Sequence, residues 1–166
     1  AGRAPVTMAN AERAILARLR AMREEDLAPF DGGGEGLYHR FYDAVQRETS
    51  IEDILAAAKS KRYAYARLRR LLLAAYLGVT PEDTPQRVPY LRVLACNARG
   101  RELLRCMKTT AAAPVLTRSA DVRRLDAGAQ RLFTLTARAE EQYVLAYPDL
   151  AAAKPGSAWT TTPVIL

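Results

Sequence analysis

Several residue types are scarce in this chain, and each scarcity excludes a class of function. The 166 residues include one histidine and two cysteines. No apolar run approaches the roughly 18–20 residues that span a bilayer, so we predict no membrane contact. The first ten residues, AGRAPVTMAN, lack the apolar centre of a signal peptide, and we therefore predict a cytoplasmic location.

Motifs for catalysis and metal binding are missing too. The sequence holds no H-E-x-x-H, no G-x-S-x-G and no dinucleotide-binding glycine pattern. His39 is the only imidazole for acid–base work, and without an acidic or cysteine partner in helical register it is typical of a surface or interface histidine. A zinc site needs four nearby ligands, so Cys96 and Cys106 are predicted to be reduced, partly buried thiols. We therefore predict no catalytic residue and no metal in this chain.

The stretch DGGGEG (residues 31–36) is the one candidate for a phosphate-binding loop. A P-loop continues with Gly-Lys-Ser/Thr after its glycines, and no such residues follow here. Three consecutive glycines tolerate almost any backbone angle. The stretch therefore predicts a flexible joint.

The composition favours helices around one apolar core. Apolar residues make up 49% of the chain. Val, Ile, Thr and Phe, which favour strands, are scarce over long stretches of the sequence. We expect helix N-caps at Asn10, Ser50 and Asn97. Helices are predicted over residues 11–22, 37–46, 62–77, 98–108, 121–125 and 129–146, and another starts at Ser50.

A short β signal interrupts this pattern. Residues 91–96 and the stretch APVLTR (113–118) predict two strands on either side of a helix. A strand–helix–strand unit of this length is a crossover connection, which makes its strands parallel. The predicted fold class is mainly α, a helical domain with a short strand–helix–strand unit (two short parallel strands) near residues 90–118. The tail KPGSAWTTTPVIL is predicted to be irregular.

Positive charge is concentrated in one part of the chain. Between Lys59 and Lys108 there are twelve Lys or Arg and three acids, an excess larger than the net +7 of the whole chain. The stretch KSKRYAYARLRRLLL (residues 59–73), called the basic segment below, has six cations in its first twelve residues. Guanidinium groups pair with phosphate and stack on bases, and the interleaved Tyr63 and Tyr65 offer stacking surfaces. These features favour nucleic acid as the partner, and a solvated helix face is the alternative.

A helical projection separates the two kinds of side chain in this segment. Leu68, Leu71 and Leu72 fall on one side, and the arginines occupy most of the other. Leu73 and Leu77 fall on the cationic side, so we expect the second half of the helix to be covered all round. Gly78 is predicted to end the helix.

Four stretches of the chain resemble one known family. EGLYHRFYDAV, KSKRYAYARLRRLLLAAYLGV, PYLRVLACNARGRELL and TTTPVI are similar, in this order, to the C-terminal half of the bacterial tRNA(Met) cytidine acetate ligase family. Members are often labelled nucleotidyltransferases. The resemblance implies an enzyme that activates acetate with ATP to acetyl-adenylate and transfers the acetyl group to N4 of the wobble cytidine in the CAU anticodon of elongator tRNA(Met).

In that family the ATP chemistry belongs to an N-terminal nucleotidyltransferase-like domain with a histidine-containing motif. The resemblance implies that this domain is absent here, so no cofactor is assigned to this segment, and ATP and acetate belong to the full-length enzyme. Residues 1–30 are then an N-terminal helix that follows the catalytic domain. Residues 31–36 are a joint, and residues 37–166 form a helical, RNA-binding domain.

The implied partners are tRNA and the chain's own N-terminal catalytic domain, and a homo-oligomer is left open. The residues that the resemblance carries over as RNA-binding are Lys59, Lys61, Arg62, Tyr63, Arg67, Arg69, Arg70, Asn97 and Lys108. Some of the arginines are expected to serve folding instead of RNA contact.

Two other functions stay open at this point. The chain is alternatively a structural or oligomerisation module that docks onto the catalytic domain without RNA contact, which Leu73 and Leu77 on the cationic side favour. A helical DNA-binding module is the third alternative, although no compact helix-turn-helix pattern frames the basic segment.

Overall fold

We analysed a computed structural model of the chain, which describes residues 7–32, 36–144, 159 and 163–166. The chain divides into two compact units. The first unit comprises Ala1–Glu82 and Gln142–Ala153, and the second comprises Asp83–Glu141 and Lys154–Leu166.

Helices dominate both units, as predicted. The helices of the described residues are α1 (Met8–Arg20), α2 (Glu24–Leu27), α3 (Leu37–Arg47), α4 (Ile51–Ala58), α5 (Tyr65–Leu77), α6 (Ala98–Thr110), α7 (Ser119–Val122) and α8 (Ala127–Val144). The strands are β1 (Leu91–Arg92), β2 (Ala95–Cys96), β3 (Val115–Leu116) and β4 (Val164–Ile165). Over the residues described, none of these helices has the length and apolar character needed to cross a bilayer.

The first helix starts earlier than predicted because a different residue caps it. We expected Asn10 to be the N-cap, but Thr7 takes that position and its hydroxyl accepts a hydrogen bond from the Asn10 N–H (3.3 Å). The Asn10 Oδ1 in turn accepts a hydrogen bond from the Thr7 N–H (3.2 Å), so the two residues form a reciprocal capping box. Because this Thr-x-x-Asn pair provides partners for free amides at residue 7 and in the first turn, the helix starts upstream of Asn10.

The core of the first unit lies between α1, α3, α4 and α5. Its largest fully buried side chains include Phe41, Ile15, Leu19, Leu27 and Leu37. On α5 the predicted apolar face is confirmed, because Leu68, Leu71, Leu72 and Ala75 are all buried. Leu73 and Leu77 are partly buried and pack against the same core.

The helix within the basic segment starts later than predicted. Helix α5 starts at Tyr65, with Ala64 as its N-cap, instead of at residue 62. Arg62 and Tyr63 belong to a turn in which the Tyr63 N–H donates to the Ser60 hydroxyl (3.2 Å). This side-chain bond gives the backbone a partner outside the helix. The helix ends at Gly78, whose φ of 72° is left-handed, as predicted.

The second unit contains the predicted crossover. Strand β1 pairs in parallel with β3, and α6 lies between them in the sequence. The predicted strand 91–96 is divided, however, because β2 pairs in parallel with β4 instead of continuing β1. The end of the tail, predicted to be irregular, therefore supplies a strand. The core of this unit joins Leu116 of β3 to Leu125 and to Ala129, Phe133 and Ala137 of α8.

The glycine-rich joint does not coincide with the division between the units. Helix α1 packs on α3 and α5, so the residues before and after the joint share one core. Gly32 and Gly36 both have positive φ, of 62° and 73°. Residues 33–35, on which the predicted flexibility depends, lie outside the described residues.

Candidate nucleic-acid interface

The basic segment begins where α4 ends, and an arginine from α3 holds that end in place. Arg40 Nε donates to the Ala58 carbonyl (2.8 Å), and its Nη2 donates to the carbonyls of Ala57 (3.0 Å) and Lys59 (3.2 Å). Carbonyls at a helix C-terminus have no partner within the helix, and a cation complements their partial negative charge. Sequence reasoning missed Arg40, because its partners are 17–19 positions away and leave no local pattern.

Arg67 of the basic segment pairs with a buried carboxylate. Its Nη2 lies 3.3 Å from Oδ1 of Asp31, whose side chain is 1% exposed. The second oxygen of Asp31 accepts the Leu37 N–H (3.1 Å), which is a free amide at the start of α3. Arg67 therefore joins α5 to the beginning of α3, which is a folding role.

Tyr63 is also part of the folded core. It is 8% exposed, and the guanidinium of Arg67 lies 5.6 Å from the centre of its ring. The guanidinium of Arg62 lies 6.0 Å from the same ring. The expectation that Tyr63 offers a stacking surface needs correction, because its ring is already covered. Tyr65, which is 40% exposed, is the tyrosine of the segment that reaches the surface.

The remaining cations of the segment are exposed. Lys59, Lys61 and Arg70 make no side-chain hydrogen bond or ion pair with any residue that the structure describes. Among the residues described, Arg69 donates only to the sulfur of Met8 (3.4 Å), which is a weak acceptor. Arg62 is exposed beside Tyr63. One loop and the first two turns of α5 therefore present Lys59, Lys61, Arg62, Arg69 and Arg70 to solvent.

Tyr65 and Arg69 face a groove of about 540 Å³ in the first unit. Glu12 and Glu52 also line this groove, so it does not favour phosphate along its whole length. The Glu12 carboxylate is engaged, since it accepts the Ile51 N–H (2.8 Å). The groove therefore suits an aromatic ring beside Tyr65 more than an anionic group.

The last two predicted residues lie in the second unit and have structural partners. Asn97 caps α6, as predicted, and its Oδ1 accepts the Gly100 N–H (2.8 Å). Lys108 Nζ donates to the Thr117 hydroxyl and lies 3.4 Å from Oδ2 of Asp121. The structure therefore divides the nine predicted residues between the two units, seven in the first and two in the second.

Asp121 organises the turn that receives Lys108. Its Oδ2 accepts the N–H groups of Thr117 and Arg118, both at 3.0 Å. Partial burial raises the pKa of Asp121, but the bond from Thr117, the charge of Lys108 and the bonds from Arg118 and Lys108 outweigh it. The pKa of this carboxyl therefore lies below its ordinary value.

The residues considered for catalysis and metal binding have the following surroundings in the described part of the chain. His39 is exposed and its Nδ1 contacts the Glu24 carboxylate, a partner 15 positions away that local register does not reveal. Cys96 and Cys106 are free thiols; Cys96 is half-buried, but Cys106 is exposed, contrary to prediction, because α6 turns it to solvent. No group of three or more metal-ligating side chains occurs within the described ranges.

The family model described as HIGH nucleotidyl transferase matches residues 1–157 of this chain. The chain belongs to this family.

Several similar proteins carry a common name. The tRNA(Met) cytidine acetate ligase of Acetivibrio thermocellus is 27% identical over 175 residues, which cover 100% of this chain and 41% of that protein. The protein of the same name from Thermosipho africanus is 32% identical over 123 residues, which cover 70% of this chain and 28% of that protein. The predicted resemblance to ligases of this name is confirmed.

A solved structure has the same fold. The crystal structure of Thermotoga maritima TmcAL bound with alpha-thio ATP matches with a TM-score of 0.84 at 23% identity, over 99% of this chain and 44% of that chain. The chain thus spans about two fifths of the length of such relatives. The narrower prediction, that the chain is a C-terminal half outside the nucleotidyl transferase part, is not confirmed, because the nucleotidyl transferase model matches residues 1–157.

Proposed function

We propose that this chain is the tRNA-binding part of an enzyme that acetylates N4 of the wobble cytidine of elongator tRNA(Met), using ATP and acetate through acetyl-adenylate. In this reaction the cytidine N4 attacks the acetyl carbonyl, the bond to AMP breaks, and the amine loses a proton. The relatives' name supports the reaction. The exposed cations of the basic segment support the role within it.

One observation carries the tRNA-binding role. Lys59, Lys61, Arg69 and Arg70 lie within twelve residues of each other and pair with no carboxylate of the described residues. Like charges so close together repel each other, and a phosphate backbone relieves that repulsion while it releases counterions. Guanidinium groups also bind phosphate in a bidentate manner.

The residues of this chain favour a position outside the ATP site. The family name spells His-Ile-Gly-His in one-letter code, and the sequence, with His39 as its only histidine, does not contain that string. The candidate loop at residues 31–36 lacks the lysine of a P-loop. We therefore assign ATP activation to residues of the full-length enzyme that are not in this sequence.

Salt-dependent RNA binding tests the proposal. If about four phosphates are neutralised, log affinity for an elongator tRNA(Met) transcript falls against log salt with a slope near −3. The triple variant Lys61→Ala/Arg69→Ala/Arg70→Ala is expected to weaken binding and flatten that slope. Arg67 stays intact in this variant because its loss would unsettle Asp31. The charge-matched control Arg13→Ala/Arg18→Ala/Arg47→Ala removes three exposed cations of the same unit and is expected to keep most of the affinity.

Two results would reject the proposal. One is the absence of binding in a gel-shift titration at about 50 mM salt, where electrostatic binding is strong. The other is equal loss of affinity in the two triple variants. Equilibrium dialysis with ATP checks the second half of the proposal, since tight ATP binding by this chain would place the nucleotide site within it.

A docking module without RNA contact is the second candidate. Leu73 and Leu77 no longer support it, because they pack on the core of the first unit. Helix α6 does support it, since none of its residues is buried, and Leu103 and Met107 are 59% and 40% exposed. Sedimentation of the chain with and without the remaining part of a full-length relative tests this function. Tight association that Leu103→Ser/Met107→Ser abolishes, together with no RNA binding, would favour it.

A further inference from the structure

The second unit contains a cavity that the basic segment does not explain. It has a volume of about 270 Å³ and lies between one face of α6 and the end of β4. Its walls include Arg101, Leu104, Arg105 and Lys108 of α6, together with Cys96 and Ile165. Positions 101, 104, 105 and 108 share one helix face because they are three, four and seven residues apart.

The rim of this cavity is cationic. Arg101 and Arg105 make no ion pair with any residue in the described part of the chain, and no acidic residue lines the cavity. Two like charges four positions apart on a helix destabilise it. Lys108 is partly neutralised by Asp121 (3.4 Å). Arg101 and Arg105 are therefore available to pair with an anionic ligand.

The interior of the cavity is apolar. Leu104, Ile165 and Cys96 contribute hydrocarbon and a thiol, and Thr117 adds a hydroxyl that already contacts Lys108. A ligand that fits must combine an apolar body with an anionic group. Its size is limited, because 270 Å³ lies just below the range of about 300–1,000 Å³ that drug-sized ligands occupy.

We propose that this cavity binds one unstacked nucleotide of a single-stranded RNA segment, with the base against Leu104 and Ile165 and the phosphate on Arg101 and Arg105. Proteins recognise single-stranded RNA by binding individual unstacked bases and by pairing arginine with the phosphates of the same nucleotides. The inference rests on the proposed tRNA-binding function and places a second contact of that RNA in the second unit.

The labelling rate of the two cysteines reports whether a ligand occupies the cavity. In a Cys106→Ser variant, Cys96 is the only thiol, and a ligand in the cavity covers it. We expect saturating anticodon stem-loop RNA to slow maleimide labelling of Cys96 several-fold, and cytidine monophosphate to do so at higher concentration. In the matched Cys96→Ser variant, Cys106 lies outside the cavity, and its labelling rate is expected to stay unchanged.

Arginine variants identify the anion contact. Arg101→Ala/Arg105→Ala is expected to abolish the protection of Cys96, whereas Arg99→Ala/Arg124→Ala, which removes two exposed cations elsewhere in the same unit, retains it. Circular dichroism confirms that each variant is folded. If the alanine pair does not fold, Arg101→Lys/Arg105→Lys is used instead. It keeps the charge but loses the planar guanidinium that binds phosphate in a bidentate manner, and it is expected to reduce the protection of Cys96.

The outcomes separate this inference from the proposed function. If RNA shifts in a gel but Cys96 labels at its free rate, the cavity inference is overturned and the RNA-binding function stands. If RNA does not bind but cytidine monophosphate protects Cys96, the cavity is a nucleotide site and the proposed function fails. Equal protection by polyglutamate, or by inorganic phosphate alone, overturns the assignment to a nucleotide.

Discussion

Arg67 reaches across 36 positions of sequence to place its Nη2 3.3 Å from Oδ1 of Asp31. This pair distinguishes an arginine that stabilises the fold from the cations of the basic segment that stay exposed. Arg67 is 29% exposed at its side chain and has a buried partner, whereas Arg69 and Arg70 are exposed. One arginine of the basic segment thus helps to fix the start of α3, while its neighbours stay exposed.

Replacing Arg67 with alanine is expected to destabilise the first unit. The change leaves the buried Asp31 carboxylate without its cation, and removing one partner of a buried pair costs about 3–5 kcal/mol. Because Arg67 is partly exposed, we expect a loss of about 2 kcal/mol in the free energy of unfolding by urea. Arg70→Ala is the control and is expected to stay within about 0.5 kcal/mol of the parent. Equal losses in the two variants would contradict the folding role of Arg67.

Replacing Arg40 with alanine is expected to loosen the end of α4. Three carbonyls, those of Ala57, Ala58 and Lys59, lose a charged donor, so we expect a loss of about 2 kcal/mol in urea unfolding. Arg40→Lys keeps the charge but lacks the planar fork, and an intermediate loss is expected. Amide hydrogen exchange at Lys59, whose N–H bonds to Leu55 and Ala56, is expected to accelerate. Unchanged exchange in Arg40→Ala would show that this arginine does not hold the helix end.

The parts of the fold that depend on local spacing were predictable from sequence. The starts of α3 and α6, the apolar face of α5 and the stop at Gly78 follow from periodicity and from residues that cap helices. The parallel pair of β1 and β3 was predicted because the distance between the strands requires a crossover.

The parts that depend on distant residues were not predictable. Nothing near Arg67 reveals that Asp31 is its partner, and nothing near His39 reveals Glu24. Strand β4 was missed because two residues make no period, and only β2 defines it. For the candidate interface, sequence identified the cations but not which of them the protein uses internally. That distinction depends on which carboxylates are buried beside the cations, as Asp31 is beside Arg67.

Substitution of Gly78 tests the left-handed stop of α5. Its φ is 72° and nothing lies within 4 Å of an added Cβ, so any penalty comes from the backbone and not from a clash. Gly78→Ala is expected to lower the free energy of unfolding by about 1 kcal/mol. Gly78→Asn is expected to lose less, since asparagine tolerates this conformation better. Equal stability of the alanine variant and the parent in urea would show that the turn relaxes.

The depressed pKa of Asp121 makes the second unit sensitive to acid. Because the carboxylate is favoured in the folded state, its stabilisation is present above the pKa of the unfolded chain and is lost as pH falls through the lower, folded pKa. Asp121→Asn keeps the shape but removes the charge that Lys108 and the N–H groups of Thr117 and Arg118 meet. The difference in unfolding free energy between parent and variant is therefore expected to be large at about pH 6 and to shrink towards about pH 2. Exposed Asp43→Asn, whose partner Arg47 is 3.9 Å away, is the control and is expected to differ little from the parent at either pH. A parent–variant difference for Asp121 that stays constant between these pH values would contradict the assignment, because a carboxylate that stabilises the turn through its charge must stop doing so once it is protonated.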